Sequence, residues 1–185
     1  MPERRIRVLY DEAAIARRNE EMAQAIAASN PKDLLVVAVL KGSFMFAADL
    51  IRAMHRTGLS PQVEFVHLSS YRAGTTSSGQ VEILRDVQSE VRGRDVLLVD
   101  DILESGRTLS FAKELMYERG AKNVTIAVLL DKREKRKTDL EADYVGFECP
   151  DHFVVGYGMD VAHSYRQLPF VGVVETDDQA GLPGI

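Results

Sequence analysis

Three nearly unbroken apolar runs divide this chain: Leu34 to Leu40, Val96 to Val99 and Val124 to Leu130. Continuous apolar runs of this length are the habit of strands buried on both faces, as in the middle of a parallel sheet. A fourth strand is predicted from Val63, Phe65, Val66 and Leu68, reaching Ser69-Ser70-Tyr71. Shorter ones are predicted at Val81 to Leu84, Phe153 to Val155 and Val171 to Val174. Between the runs the apolar residues return at helical spacing. Ile15, Met22, Ala25 and Ile26 form one stripe of a helix over 11–29, with Arg17, Arg18, Glu20 and Glu21 turned away. Asp11 is placed to cap it, and Asn30-Pro31 stops it. A second helix carries Phe44, Ala47, Leu50, Ile51 and Met54 and ends before Gly58 and Pro61. A third opens at Arg107, runs through Leu109, Ala112, Leu115 and Met116, and closes near Gly120.

Strands alternating with helices predict an α/β domain, with a mainly parallel twisted sheet flanked by helices on both faces. In such sheets ligands bind beyond the carboxyl ends of the strands. Lys41-Gly42, Ser70-Tyr71, the segment Asp100 to Thr108, and Lys132 all follow predicted strands, so they are expected to face one cleft. The stretch Arg72 to Gln80, polar and glycine-bearing without a period, reads as a mobile loop, and Asp177 to Ile185 as a frayed tail. There is no internal repeat and no linker, and 185 residues suit one domain spanning 1–185.

Composition narrows the class. The net charge of −5 speaks against a nucleic-acid partner. No apolar stretch approaches the roughly 18 residues of a membrane span. The N-terminus, with Glu3, Arg4, Arg5 and Arg7, lacks the apolar centre of a signal peptide. A single cysteine, Cys149, fits a reducing compartment. A soluble cytoplasmic protein is expected, with no nucleic-acid or membrane partner.

The chemistry concentrates between Val96 and Leu109. There a buried strand ends in two carboxylates, Asp100 and Asp101, followed by a turn with Glu104, Ser105 and Gly106 and then the start of a helix. A helix N-terminus offers unpaired N–H donors and the positive end of the helix dipole, which suits a phosphate. Gly106 permits close backbone approach, and the Ser105 and Thr108 hydroxyls add donors. The plainer reading is a capped helix with no ligand. Adjacent carboxylates repel one another and call for a cation or a pair of sugar hydroxyls. Magnesium commonly takes one or two protein carboxylates and completes its shell with substrate phosphate oxygens. The plainer reading there is a solvated acidic turn.

This stretch resembles the phosphoribosyl-pyrophosphate motif of the type I phosphoribosyltransferases. The rest of the chain is similar to their hypoxanthine-guanine branch, in the family's order up to Glu175. Leu40-Lys41-Gly42-Ser43 resembles that branch's pyrophosphate loop, and Ser70-Tyr71 with the stretch after it resembles its flexible catalytic loop. Lys132-Arg133, Val145-Gly146-Phe147-Glu148, and Pro150 through Asp160 with Arg166 match its purine-binding segment. The resemblance implies the type I phosphoribosyltransferase fold, with a small hood drawn mainly from 132–170 and the N-terminal segment. It implies transfer of the phosphoribosyl group from phosphoribosyl pyrophosphate to a purine base, and it implies residue roles. Asp100 and Asp101 would hold the ribose hydroxyls and a magnesium ion, and Glu104, Ser105, Gly106, Arg107 and Thr108 would cradle the 5′-phosphate. Lys41 and Gly42 would bind pyrophosphate across a cis Leu40–Lys41 peptide. Lys132 would donate to the purine 6-oxo group, Phe153 would stack on the ring, and the Val154 backbone would read its other edge. Asp160, in the purine-reading segment, would bind a second magnesium on the pyrophosphate that Arg166 contacts. Ser70 and Tyr71 would belong to a lid that keeps water from the sugar cation.

Glu104 departs from the pattern, since the family usually has Asp there as the base for the purine ring nitrogen, and Asp100 stands where many relatives have Glu. A carboxylate supplies placement and pKa in either case, so Glu104 is expected to remain the catalytic base. Of the cations Lys132 to Lys137, only Lys132 is expected to have a specific role. Lys135, Arg136 and Lys137 read as a solvated face. Gly156 and Gly158 lack the third glycine and the strand-to-helix setting of a dinucleotide site, and the four histidines show no metal-ligand spacing. Two other classes compete. An RNA-binding regulator on the same fold would need a basic face, which the acidic total disfavours. A phospho-acceptor signalling domain normally carries its acid pair after the first strand. The expectation is a purine-salvage enzyme for hypoxanthine or guanine, using Mg2+, as a homodimer or homotetramer.

Overall fold

In the computed structural model, which describes residues 5–70 and 81–175, the three apolar runs become adjacent parallel strands: β2 (Leu35–Leu40), β5 (Asp95–Leu103) and β6 (Asn123–Asp131). Alternation between two cores explains why, Thr125 apart, no polar residue interrupts the apolar runs. In β2, Val36 and Ala38 enter one core while Leu35, Val37 and Val39 enter the other. Likewise Leu97 and Val99 of β5 face the first core, and Val96 and Leu98 face the second.

The full sheet has six strands in the order β4-β3-β2-β5-β6-β7, with β3 at Gln62–Ser70, β4 at Val81–Arg85 and β7 at Tyr144–Glu148. Only β4 runs antiparallel. Helices α1 (Glu12–Ala28) and α2 (Phe44–Arg56) cover one face through Ile15, Met22, Ile26, Phe46, Leu50 and Met54, and α3 (Arg107–Glu118) covers the other through Leu109, Ala112 and Met116. Asp11 caps α1, its carboxylate accepting from the Ala14 N–H at 2.7 Å. Gly58 and Gly120 take positive φ just past α2 and α3, where a side chain would be strained.

A second sheet is antiparallel, in the order β1 (Ile6–Tyr10), β9 (Val171–Val174), β8 (Val154–Val155). Val154, Val171 and Val173 carry it into the core shared with α1 and α2. The apolar pattern did not announce β1 or β7. In β1 the apolar residues are separated by Arg7 and half-exposed, and in β7 Gly146 interrupts the run. At Gly146 a Cβ would lie 2.5 Å from the Leu129 carbonyl oxygen, so a bare backbone is required for β7 to close on β6. Strand β5 also runs further than expected. Asp100 and Asp101 stand on it, and Leu103 still pairs with Asp131. The expected loop at Arg72 to Gln80, including Tyr71 beside it, and the tail from Asp177 lie outside the described residues.

Candidate active site

The carboxyl ends of β2, β3, β5 and β6 open into a cleft of about 580 Å³, walled on its far side by the segment from Phe153 to Arg166. Lys41 and Gly42 enter from β2, His67 from β3, Asp101 and Glu104 from β5, and Lys132 from just past β6. Phe153, Val154, Asp160 and Arg166 close it. Most of the site residues expected from sequence thus converge. Asp100 does not line the cleft; it is buried behind Asp101. Ser105 to Thr108 lie beyond the lining, on the continuation of the loop into α3. Ser70 ends β3, and Tyr71 lies outside the described residues.

Burial makes the two aspartates unusual. Asp100 is pushed well above the ordinary carboxylate range, first by burial and then by the neighbouring Asp101 charge. Asp101 is raised too, by burial, against the pull of hydrogen bonds and of the Arg166 guanidinium. Each carboxylate accepts a local backbone N–H: Asp101 N donates to Asp100 Oδ1 at 2.9 Å, and Ile102 N to Asp101 Oδ1 at 2.8 Å. Such a pair on β5 is a hard oxygen donor set, with the Arg166 guanidinium acting on its Asp101 member. Among the described residues no group of three or more His, Cys, Asp or Glu is arranged for a metal, so an ion there would draw further ligands from a bound substrate.

The turn that follows β2 is pressed against Asp101. The Leu40–Lys41 peptide is cis, as the resemblance implied. A Cβ on Gly42 would fall 1.8 Å from Asp101 Oδ2, and one on Gly158 would fall 2.3 Å from the Gly42 carbonyl oxygen. Two glycines therefore let two backbone segments and the Asp101 carboxylate meet at one point.

Beyond β5 the chain turns at Gly106, in the left-handed region at φ 84, which serves as N-cap of α3 without any side-chain cap. The nearest hydroxyl contact, Arg107 N to Ser105 Oγ, is long at 3.4 Å. The plainer expectation of a side-chain-capped helix therefore fails, and the first-turn N–H groups stay available to an anion.

On the opposite wall Lys132 is buried. Its ammonium donates to the His152 carbonyl at 2.7 Å and lies 3.6 Å from Glu104 Oε1. Phe153 is 58% exposed, an aromatic face held open at the cleft edge, and the Val154 backbone is anchored by β8–β9 pairing. Arg166 pairs with Asp160 at 2.8 Å and donates to the Gly158 carbonyl at 2.7 Å, so this cation is fixed beside the glycine contact.

Two of the three cations expected on a solvated face make specific contacts instead. Arg136, expected on a solvated face, is largely buried, with its guanidinium bonded to the Leu103, Glu104 and Leu140 carbonyls and paired with the Asp131 carboxylate. Five cations in six residues give no signal that singles it out. Lys135, also placed on that face, is exposed but pairs with Asp151 at 2.9 Å on the cleft wall.

The sequence model of the phosphoribosyl transferase domain matches residues 7–162. A hypoxanthine-guanine phosphoribosyltransferase of Bacillus subtilis is 44% identical over 170 residues, 91% of this chain and 93% of that protein. One from Streptococcus agalactiae is 41% identical over 172 residues, 92% of this chain and 94% of that one. Among solved structures, a hypoxanthine phosphoribosyltransferase from Staphylococcus aureus superposes with a TM-score of 0.86 at 40% identity, covering 94% of this chain and 93% of that one.

Proposed function

The chain belongs to the phosphoribosyltransferase family, and from that premise we propose how its cleft divides the labour of purine salvage. It is a purine-salvage transferase of the hypoxanthine-guanine type, moving the 5-phosphoribosyl group from phosphoribosyl pyrophosphate to the base and releasing IMP or GMP with pyrophosphate. The observation that carries the assignment of roles is the meeting of Lys41-Gly42, Asp101, Glu104 and Lys132 in one cleft at the sheet's carboxyl edge.

The reaction is a substitution at the ribose anomeric carbon. Positive charge grows on the sugar and negative charge on the departing pyrophosphate. Lys41 and the Gly42 backbone receive the pyrophosphate, with Arg166 as a second fixed cation. Asp101, which lines the cleft, holds the ribose hydroxyls, with Asp100 buried beside it. Ser105 to Thr108, with the Glu104 backbone, cradle the 5′-phosphate on the uncapped start of α3. Lys132 donates to the purine 6-oxo group, Phe153 stacks on the ring, and the Val154 backbone reads the opposite edge. Glu104 takes the proton from the purine ring nitrogen as the base attacks.

Asp100 and Asp101 fit a magnesium ion, because both are hard oxygen donors whose burial and mutual repulsion a divalent cation relieves. Asp160 is the corresponding candidate for a second ion on the pyrophosphate, although Arg166 already balances its charge. A bound ion supplies charge neutralisation on the leaving group. The small sheet of β1, β9 and β8 acts as a hood over the base, and Ser70 and Tyr71 belong to the lid. The protein works in the cytoplasm as a homodimer or homotetramer. No helix among the described residues is long and apolar enough to cross a membrane. The RNA-binding alternative finds no support among relatives, which are hypoxanthine-guanine phosphoribosyltransferases.

An absorbance assay with phosphoribosyl pyrophosphate, magnesium and each of hypoxanthine, guanine and xanthine tests this function directly. Nucleotide formed from hypoxanthine or guanine is the expected result, and none from any base overturns it.

A further inference from the structure

We propose that Arg136, held by Asp131, is a positioning residue that sets the peptide planes of the loop from Leu103 to Gly106, and so aims that loop's N–H groups for a sugar 5′-phosphate. The inference rests on reading this loop as the phosphate cradle.

Three successive loop carbonyls are captured by one short segment. Leu103 O accepts from Lys132 N at 2.9 Å and from Arg136 Nη2 at 3.3 Å. Glu104 O accepts from Arg136 Nε at 3.0 Å, and Ser105 O from Lys137 N at 2.9 Å. A trans peptide is planar with its C=O and N–H antiparallel. Turning three carbonyls toward the 132–137 segment therefore turns the N–H groups of Glu104, Ser105 and Gly106 the other way. Successive backbone N–H groups presented together make a concavity for anions. Two of these four bonds come from a single side chain, whose fork geometry fixes both acceptors at once.

The fork is itself fixed. Arg136 pairs with Asp131, the last residue of β6, which is 4% exposed, and it also holds the Leu140 carbonyl. Thr138 closes the same contact, since a Cβ on Gly106 would meet Thr138 Oγ1 at 2.1 Å and Arg136 Cδ at 3.2 Å. The Glu104 carboxylate belongs to the clamped residue, so the clamp also sets where the proposed base begins.

Arg136→Lys tests the clamp while keeping a cation for Asp131. An ammonium lacks the planar fork that spans both carbonyls. The expected result is a rise of about 10- to 100-fold in the Kd for ribose 5-phosphate and in the KM for phosphoribosyl pyrophosphate. Inhibition by pyrophosphate, which reads the Lys41 and Gly42 side, stays as in the unsubstituted protein. The pair Asp131→Asn with Arg136→Met removes both charges, so no buried carboxylate is left unpaired, and it is expected to stay folded with the same loss. Ribose 5-phosphate binding unchanged in both folded variants overturns the clamp. Weakening of ribose 5-phosphate and pyrophosphate together in equal measure also overturns it, because that pattern marks general loosening. Failure of the unsubstituted protein to bind ribose 5-phosphate at all overturns instead the reading of the loop as the phosphate cradle.

Discussion

The Lys132 ammonium stands between two acceptors, 2.7 Å from the His152 carbonyl and 3.6 Å from the Glu104 carboxylate. Lys132 is buried and Glu104 is more exposed, so the immobile partner directs the mobile one. The longer glutamate side chain thereby reaches the wall formed by Lys132, Phe153 and Val154.

Replacing Glu104 with Gln keeps the shape and removes the proton acceptor. If Glu104 is the base, kcat falls by about 10²- to 10⁴-fold while the fold is retained. Steady-state turnover with hypoxanthine measures this. Turnover near that of the unsubstituted protein would remove Glu104 from the mechanism.

The Asp100–Asp101 pair gives stability a pH slope of definite sign. An unfolded aspartate titrates at about 3.9, whereas burial and the adjacent charge raise Asp100 in the folded chain. The folded state therefore holds a proton that the unfolded state releases. Its contribution is complete below the unfolded value and is lost as pH rises through the folded one. In metal-free buffer the Asp100→Asn variant, which mimics the protonated acid, is expected to gain in melting temperature relative to the unsubstituted protein between pH 4 and pH 7, with the gain shrinking toward pH 4. Melting curves that stay parallel across that range would contradict the assignment.

Much of this geometry was legible beforehand. Strands buried on both faces betray themselves as unbroken apolar runs, so β2, β5 and β6 and the helices between them could be read off the letters, and the residues after each strand pointed to one cleft. What stayed hidden is long-range. Strand β1 is stabilised by pairing with β9, far along the chain, with Ile6 opposite Val174, and its own half-exposed residues carry no strong period. Arg136 looked like its neighbours because its acceptors, Leu103 O and Glu104 O, lie more than thirty residues earlier and are backbone atoms of no particular residue type.

Gly42 offers a steric test of the pyrophosphate side. A methyl group there would meet Asp101 Oδ2 at 1.8 Å, and the Gly42 carbonyl is already enclosed by Gly158. Gly42→Ala must therefore displace either the Asp101 carboxylate or the loop. The expected outcome is a loss of at least about tenfold in kcat/KM for phosphoribosyl pyrophosphate, with smaller change in the KM for the purine, since a displacement near 1 Å suffices for a penalty of that size. Equal changes for the two substrates would show that the contact does not serve the pyrophosphate side.

Tyr157 ties the helices to the segment that closes the cleft, and its hydroxyl can be tested alone. It donates to Asp49 Oδ2 on α2 at 2.6 Å and accepts from Asn19 Nδ2 on α1 at 3.0 Å. Burial and the Asp49 carboxylate hold the phenol far above its ordinary pKa, so it stays a donor at any working pH. The Asn19 amide is buried, and its Oδ1 already has no partner among the described residues. Tyr157→Phe removes the acceptor for Nδ2 and leaves the whole amide unpaired in the core, a cost of about 1–3 kcal/mol. For a chain of this size each kcal/mol lowers the melting temperature by roughly 2–4 °C. Calorimetry of Tyr157→Phe beside the double variant Asn19→Leu, Tyr157→Phe separates the causes. Recovery in the double variant assigns the loss to the stranded amide, because apolar groups then replace both partners. An equal or deeper loss assigns it to the Asp49 contact instead.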